Sequence, residues 1–196
     1  MGVDPASLQI VHYPAKVLRA RAKPLESVTA EVRSVAKRMI ELMHQAEGIG
    51  LAAPQVGLSW RLFVCMVEPN EERPLGADPV QAVTEPMVCI NPKLSKPERD
   101  LVPYEEGCLS LPDIRGDVRR PSAITMTALG LDGKEFTLRG AGLLARCWQH
   151  EIDHLDGVLI IDKMAEAHRK RNKAAIQELE AGGELHVAPK PKARAL

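Results

Sequence analysis

The chain has 196 residues, and its 26 Lys and Arg balance 26 Asp and Glu, so the formal net charge is zero with His neutral. At 45% hydrophobic and 27% charged residues it has the composition of a globular protein with a sizeable core, which excludes global disorder. Two Trp, two Tyr and two Phe with no net positive charge exclude a stacking platform or a phosphate-seeking field over the main body.

No apolar run reaches the roughly 18 residues of a membrane helix, and the start MGVDPASLQIVHYP lacks a basic n-region and an apolar h-region. A soluble, cytoplasmic protein with no membrane association is therefore expected. Ala6 stands where a myristoylation motif after Gly2 would want Ser or Thr. Cys65, Cys89, Cys108 and Cys147 contain no C-x-x-C pair. Two disulfides are arithmetically allowed, but a chain of this kind is expected reduced, with each Cys by default a small buried hydrophobe.

Residues 1 to 26 read as an irregular arm punctuated by Pro5, Pro14 and Pro24. Thr29 offers an N-cap, and Val32, Val35, Ala36, Met39, Leu42, Met43 and Ala46 recur at helical spacing until Gly48. β-rich runs follow at Arg61 to Val67, Met87 to Ile90, Ile114 to Arg119 and Ala123 to Leu129. An Asp132-Gly133 hairpin signal then leads into Lys134 to Leu138. The stretch from Pro69 to Pro86 reads as a polar, proline-punctuated loop. Helical spacing returns in Leu143, Leu144, Cys147, Trp148, Ile152 and Leu155, with Gly157 as the stop. A charged helix over Ala165 to Leu179 is expected last. Strands grouped between helices predict α+β architecture, with mostly antiparallel sheet packed around the helix of 141 to 155. The expected organisation is one catalytic domain over 1–180 and a mobile basic tail over 181–196.

Gln149-His150-Glu151-Ile152-Asp153-His154 is an H-E-x-x-H match on an expected helix. At 3.6 residues per turn, His150 and His154 lie about 40° apart around the axis and one turn apart along it, so both imidazoles can reach one metal ion. Glu151 flanks that ion. Catalytic metal sites usually take three protein ligands, so a third must come from elsewhere: Glu166, Glu178 or a cysteine. Cys108 stands in Glu105-Glu106-Gly107-Cys108-Leu109-Ser110-Leu111-Pro112, where Gly107 permits close backbone approach. Cys147 lies one turn before His150, on a face that also carries core residues. In Gly48-Ile49-Gly50-Leu51-Ala52-Ala53-Pro54-Gln55, the bland reading is a helix C-cap and a tight loop. The functional reading uses the small residues for ligand approach and the Gln55 amide as an oriented donor.

Together these three segments resemble the peptide deformylase family, matching its G-x-G-L-A-A-x-Q, E-G-C-L-S and Q-H-E-x-D-H motifs in order. The resemblance extends from Ile10-Val11-His12-Tyr13-Pro14 and Val17-Leu18-Arg19 through the helix after Gly157. It implies metal ligation by Cys108, His150 and His154, acid/base work by Glu151, and oxyanion donation by Gln55 and the backbone N–H of Leu109. It also implies removal of the N-formyl group from the initiator methionine of nascent chains, with release of formate. The ion implied is ferrous iron in a bacterial cell, with zinc, nickel or cobalt able to substitute. An apolar pocket for the methionine side chain is expected from Ile49, Leu143 and Cys147, with the peptide added as a strand beside Ile49 and Gly50. Ala15-Lys16, Trp148 and the Pro69 to Pro86 insertion depart from the family pattern.

Two rival classes share parts of this pattern. A zinc endopeptidase would need a downstream acid as third ligand and a long cleft, yet only 42 residues follow His154. A binding module without turnover would have no use for Cys108, Glu151 and Gln55 together. Finally, His168-Arg169-Lys170-Arg171-Asn172-Lys173 gathers cationic side chains on the last helix. This is either a solvated face or, as in the family, a contact with ribosomal RNA.

Overall fold

The computed structural model describes residues 2–182. Its architecture is α+β, and every strand ladder is antiparallel. The first helix, α1 (Ala30–Gln45), starts where Thr29 Oγ1 accepts the Val32 N–H at 3.2 Å, the N-cap bond that satisfies an otherwise orphaned amide. Three short strands and turns follow: β1 (Gly50–Ala52), a 3₁₀ turn at Ala53–Val56 and β2 (Leu62–Cys65). Next come β3 (Met87–Ser95), β4 (Leu101–Cys108), β5 (Leu111–Pro121), β6 (Ala123–Leu129) and β7 (Glu135–Ala141). The helices α2 (Gly142–Leu155), α3 (Ile160–Lys163), α4 (Glu166–Arg171) and α5 (Lys173–Gly182) complete the described chain.

Five strands form one sheet in the order β1-β2-β3-β6-β7, while β4 and β5 pair as a separate two-stranded sheet. Side chains alternate across a strand, and β2 shows why all four of its residues are buried. Leu62 and Val64 join the apolar cluster under α1, whereas Phe63 and Cys65 join the one under α2. In β3, Val88 and Ile90 likewise face α1 and Cys89 faces α2. The large sheet is thus a layer between two helices. A third cluster joins the arm (Val11, Leu18) to Cys108, Leu111 and Ile114 of the hairpin and to Ile160 and Ile161 of α3.

Most expected elements are present with shifted ends, and three differences have physical causes. First, β1 and β4 are strands where a loop and an unassigned segment were expected. β1 is three residues long, and β4 alternates poorly because its outer half, Leu101 to Glu105, is exposed and contains Pro103. Second, the helix expected over Ala165 to Leu179 is two helices. Asn172 interrupts it, with Nδ2 donating to Arg115 O (2.7 Å) and to His168 O (2.9 Å), and α5 runs on to Gly182. The expected tail boundary at 181 therefore falls inside a helix, and 183–196 lie outside the described residues. Third, the Pro69 to Pro86 insertion forms no strand but is fastened at two points. Val80 N–H donates to Arg139 O and Ala141 N–H to Val80 O, both at 2.9 Å, and Val83 N–H donates to Val67 O at 2.9 Å.

Gly157 ends α2 with φ +75°, and a Cβ there would come within 2.6 Å of Arg19 O. Trp148, fully buried, is accommodated because Gly140 of β7 leaves the space its ring fills. No helix among the described residues is long and apolar enough to cross a membrane.

Candidate metal and active site

Helical spacing on α2 places His150 and His154 with ring centroids 5.0 Å apart, both facing the end of β4. There the hairpin turn brings Cys108 against them, with Sγ 3.2 Å from His154 Nε2. One donor atom from each of Cys108, His150 and His154 lies within 4.8 Å of the others, the one such Cys, His, Asp or Glu group among the described residues. Glu166 and Glu178, the alternative third ligands, are exposed on α4 and α5, and Glu166 pairs with Lys170 at 2.7 Å. All four cysteines are free thiols.

Burial drives the local electrostatics. It pushes the Cys108 thiol up to about 12, even though backbone N–H groups of Ser110 and Leu111 donate to its sulfur. It pushes His154 well below its ordinary value and Glu151 well above its own. These shifts favour the neutral forms, since charge is costly away from water. A divalent cation among the three donors reverses that preference for the thiol, which binds metal as the thiolate, and its positive charge likewise favours the carboxylate form of the neighbouring Glu151. The donor set fits such an ion. Glu151 Oε2 is also buried without a hydrogen-bond partner, as is His154 Nδ1.

Gln55 sits on the turn after β1 with its amide orientation fixed. Its Oε1 accepts the Ala52 N–H at 2.8 Å, which turns Nε2 toward Cys108 Sγ (3.6 Å) and Ser110 Oγ (3.3 Å). The arm holds this corner from outside: Val11 N–H donates to Gln55 O at 2.8 Å and Tyr13 N–H to Ser110 O at 2.9 Å. Leu109 occupies the β4–β5 turn with its side chain against Gly48.

Gly50 has no room for a side chain. A Cβ there would overlap Glu151 Oε1 and come within 2.9 Å of Cys147 Sγ, so the glycine lets β1 pass directly over the acid. Cys147 is 4% exposed and its S–H donates to Ile49 O at 3.4 Å. Ile49, half-buried just before β1, and Leu143, half-buried in the first turn of α2, pack at the margin of the same apolar cluster. β1 is an edge strand of its sheet, so its outer side has no strand partner among the described residues.

The expected site residues omit an ionic network around the histidines. Glu106, 1% exposed, accepts Arg120 Nε (2.5 Å) and Nη2 (2.8 Å), Arg146 Nη1 (2.7 Å), and stands 3.0 Å from His150 Nδ1. Arg120 reaches on to Asp153 at 2.7 Å, and Asp153 to Lys163 at 2.7 Å. Burial alone would raise the Glu106 carboxyl, but hydrogen bonds from Arg120 and His150 outweigh it and hold it well below the usual carboxylate range. The carboxylate thereby fixes His150 through Nδ1 and leaves Nε2 for an ion, the usual support for a metal-bound histidine. Strand alternation places Glu106 on the same face as Cys108, a signal available in the sequence once β4 is recognised as a strand.

Comparison with known proteins gives a consistent result. The family model of polypeptide deformylase matches residues 7–170. Peptide deformylase 2 of Gloeobacter violaceus is 46% identical over 149 residues, covering 76% of this chain and 74% of that one. Peptide deformylase of Acinetobacter baumannii is 41% identical over 174 residues, covering 89% and 92%. Among solved structures, peptide deformylase from Ehrlichia chaffeensis superposes with a TM-score of 0.79 at 34% identity, covering 89% of this chain and 96% of that one.

Proposed function

Because the chain belongs to the peptide deformylase family, and is thus a metallohydrolase that removes the N-formyl group from nascent polypeptides, we propose that Cys108, His150 and His154 hold its divalent ion and that Glu151 moves the proton. The observation that carries this reading is the convergence of three donor atoms within 4.8 Å beside a buried, unpartnered carboxylate oxygen. When bound, the ion polarises the formyl carbonyl and lowers the pKa of water.

The protein's own groups do the rest. Glu151 Oε2 takes the proton of the attacking water and delivers it to the amine nitrogen as the C–N bond breaks, giving formate and a free amino terminus. Gln55 Nε2 and the Leu109 N–H donate to the formyl oxygen as charge builds on it. The peptide adds as a strand to the open edge of β1, with Ile49 and Gly50 giving backbone contacts. Ile49, Leu143 and Cys147 line the methionine side chain. The ion is assigned to ferrous iron with zinc, nickel or cobalt as substitutes, and the location to a bacterial cytoplasm. The exposed cations of α4 and the start of α5, Arg169, Lys170, Arg171 and Lys173, are assigned to ribosomal RNA.

A formate-release assay on formyl-Met-Ala, paired with metal analysis, tests the ligand set. Cys108→Ala loses stoichiometric metal and activity together, while Glu166→Ala and Glu178→Ala keep both. Full metal occupancy in Cys108→Ala overturns the assignment.

A further inference from the structure

The groups assigned to the ion come from two separate pieces of the fold. Cys108 ends β4 of the two-stranded hairpin, whereas His150 and His154 ride on α2, which packs against the five-stranded sheet. Their relative placement therefore depends on what joins hairpin to helix. Arg146, one turn before His150, reaches across that junction. Its Nη1 donates to Glu106 Oε1 (2.7 Å) and to Val118 O of β5 (2.9 Å), and its Nη2 donates to Val102 O of β4 (2.7 Å). The guanidinium is nearly buried, its side chain 8% exposed, with its Cζ 5.3 Å from the centre of the Tyr104 ring.

From this geometry we infer that Arg146 is a positioning residue for the metal centre. It binds α2 to both strands of the hairpin and holds Glu106 Oε1, which keeps Oε2 aimed at His150 Nδ1. The inference rests on the ligand set proposed above. Only a forked, multi-donor cation spans three acceptors in this way, and a lysine ammonium at the same place reaches fewer of them.

An electrostatic reading gives the opposite sign. A cation this close to a metal site opposes metal binding, so if charge alone mattered, removing it would tighten the ion and Lys would reproduce Arg. Positioning predicts that Arg146→Met weakens metal affinity by roughly 10- to 100-fold. It also predicts that Arg146→Lys is intermediate, despite its full charge.

The test uses full-length protein loaded with cobalt(II). Dissociation into a chelator gives metal affinity, and the visible spectrum reports the ligand field. The rate of formate release from formyl-Met-Ala separates kcat from KM, and thermal unfolding of the ion-free variants reports folding. The expected result is faster cobalt loss, an altered spectrum and a lower kcat with KM little changed, graded Met beyond Lys. Should Arg146→Met fail to fold, Arg146→Lys carries the test alone, through its spectrum and its dissociation rate. Unchanged or tighter cobalt binding, or a lowered melting temperature with the wild-type spectrum and kcat, overturns the inference. Cys108→Ala run alongside keeps the two readings apart: full occupancy there removes the ligand set itself, whereas an inert Arg146 removes only the positioning role.

Discussion

Glu151, the residue proposed to move the proton, has its environment set by everything around it. It is 3% exposed, Gly50 lets a strand pass over it, and its Oε2 has no hydrogen-bond partner. A carboxyl in such a place holds its proton more tightly than in water, which suits a group that must accept a proton and later give it back. Glu151→Gln preserves size and leaves the three donor atoms in place. It should retain metal stoichiometrically while formate release falls by at least about 10² to 10⁴-fold, the usual cost of a lost general base. Metal analysis and turnover on one preparation check both halves, and near-normal turnover would exclude the proton path. The two histidines and Glu151 were legible because four-residue spacing on a helix needs no long-range information. Glu106 was not, because its partners Arg120, Arg146 and His150 lie 14, 40 and 44 residues away and meet only in three dimensions.

At the scale of elements, α1 and α2 were legible from apolar periodicity, and the strands between them from β-rich runs. The β4–β5 hairpin was legible only on its β5 side. Half of β4 faces solvent with Leu101, Val102 and Tyr104, so its pattern carries no inside and outside. What fixes the hairpin to the helix is polar, ion pairs of Glu106 with Arg120 and Arg146 and of Asp153 with Arg120 together with hydrogen bonds to backbone carbonyls, and hydropathy does not register it. Removing Glu106 tests this junction, because it leaves the side chains of Arg120 (3% exposed) and Arg146 (8% exposed) facing a site without their shared carboxylate. Breaking a buried pair in this way costs about 3 to 5 kcal/mol. Glu106→Ala should therefore lose that much stability in denaturant unfolding of ion-free protein, where metal linkage cannot contribute. A loss below about 1 kcal/mol would show that Asp153 and the backbone carbonyls of Val102 and Val118 suffice for the two arginines.

Taken whole, the molecule has no net charge, so any attraction to the ribosome must come from local clustering. The structure narrows the cluster expected from the sequence. His168 turns inward, its Nδ1 accepting the Asp117 N–H at 2.6 Å, while Arg169, Lys170, Arg171 and Lys173 remain exposed. Removing the helices would be a poor test of their role. Ala175, Ile176 and Leu179 pack against the cluster that contains Cys108 and Leu111, and Tyr13 donates to Glu180 at 2.8 Å, so truncation would also disturb the site. Neutralising the four exposed cations leaves that packing intact. If they contact RNA phosphates, each contact releases counterions, and affinity falls with salt in proportion to the number made. Replacing all four by Gln should leave formate release from formyl-Met-Ala within about twofold. It should also weaken ribosome co-sedimentation at low salt and flatten the dependence of log affinity on log salt by about 3, from a loss of roughly 0.7 to 0.9 per contact. A salt slope equal to wild type would return these residues to the status of a solvated helix face, because no phosphate contact can be lost without changing it.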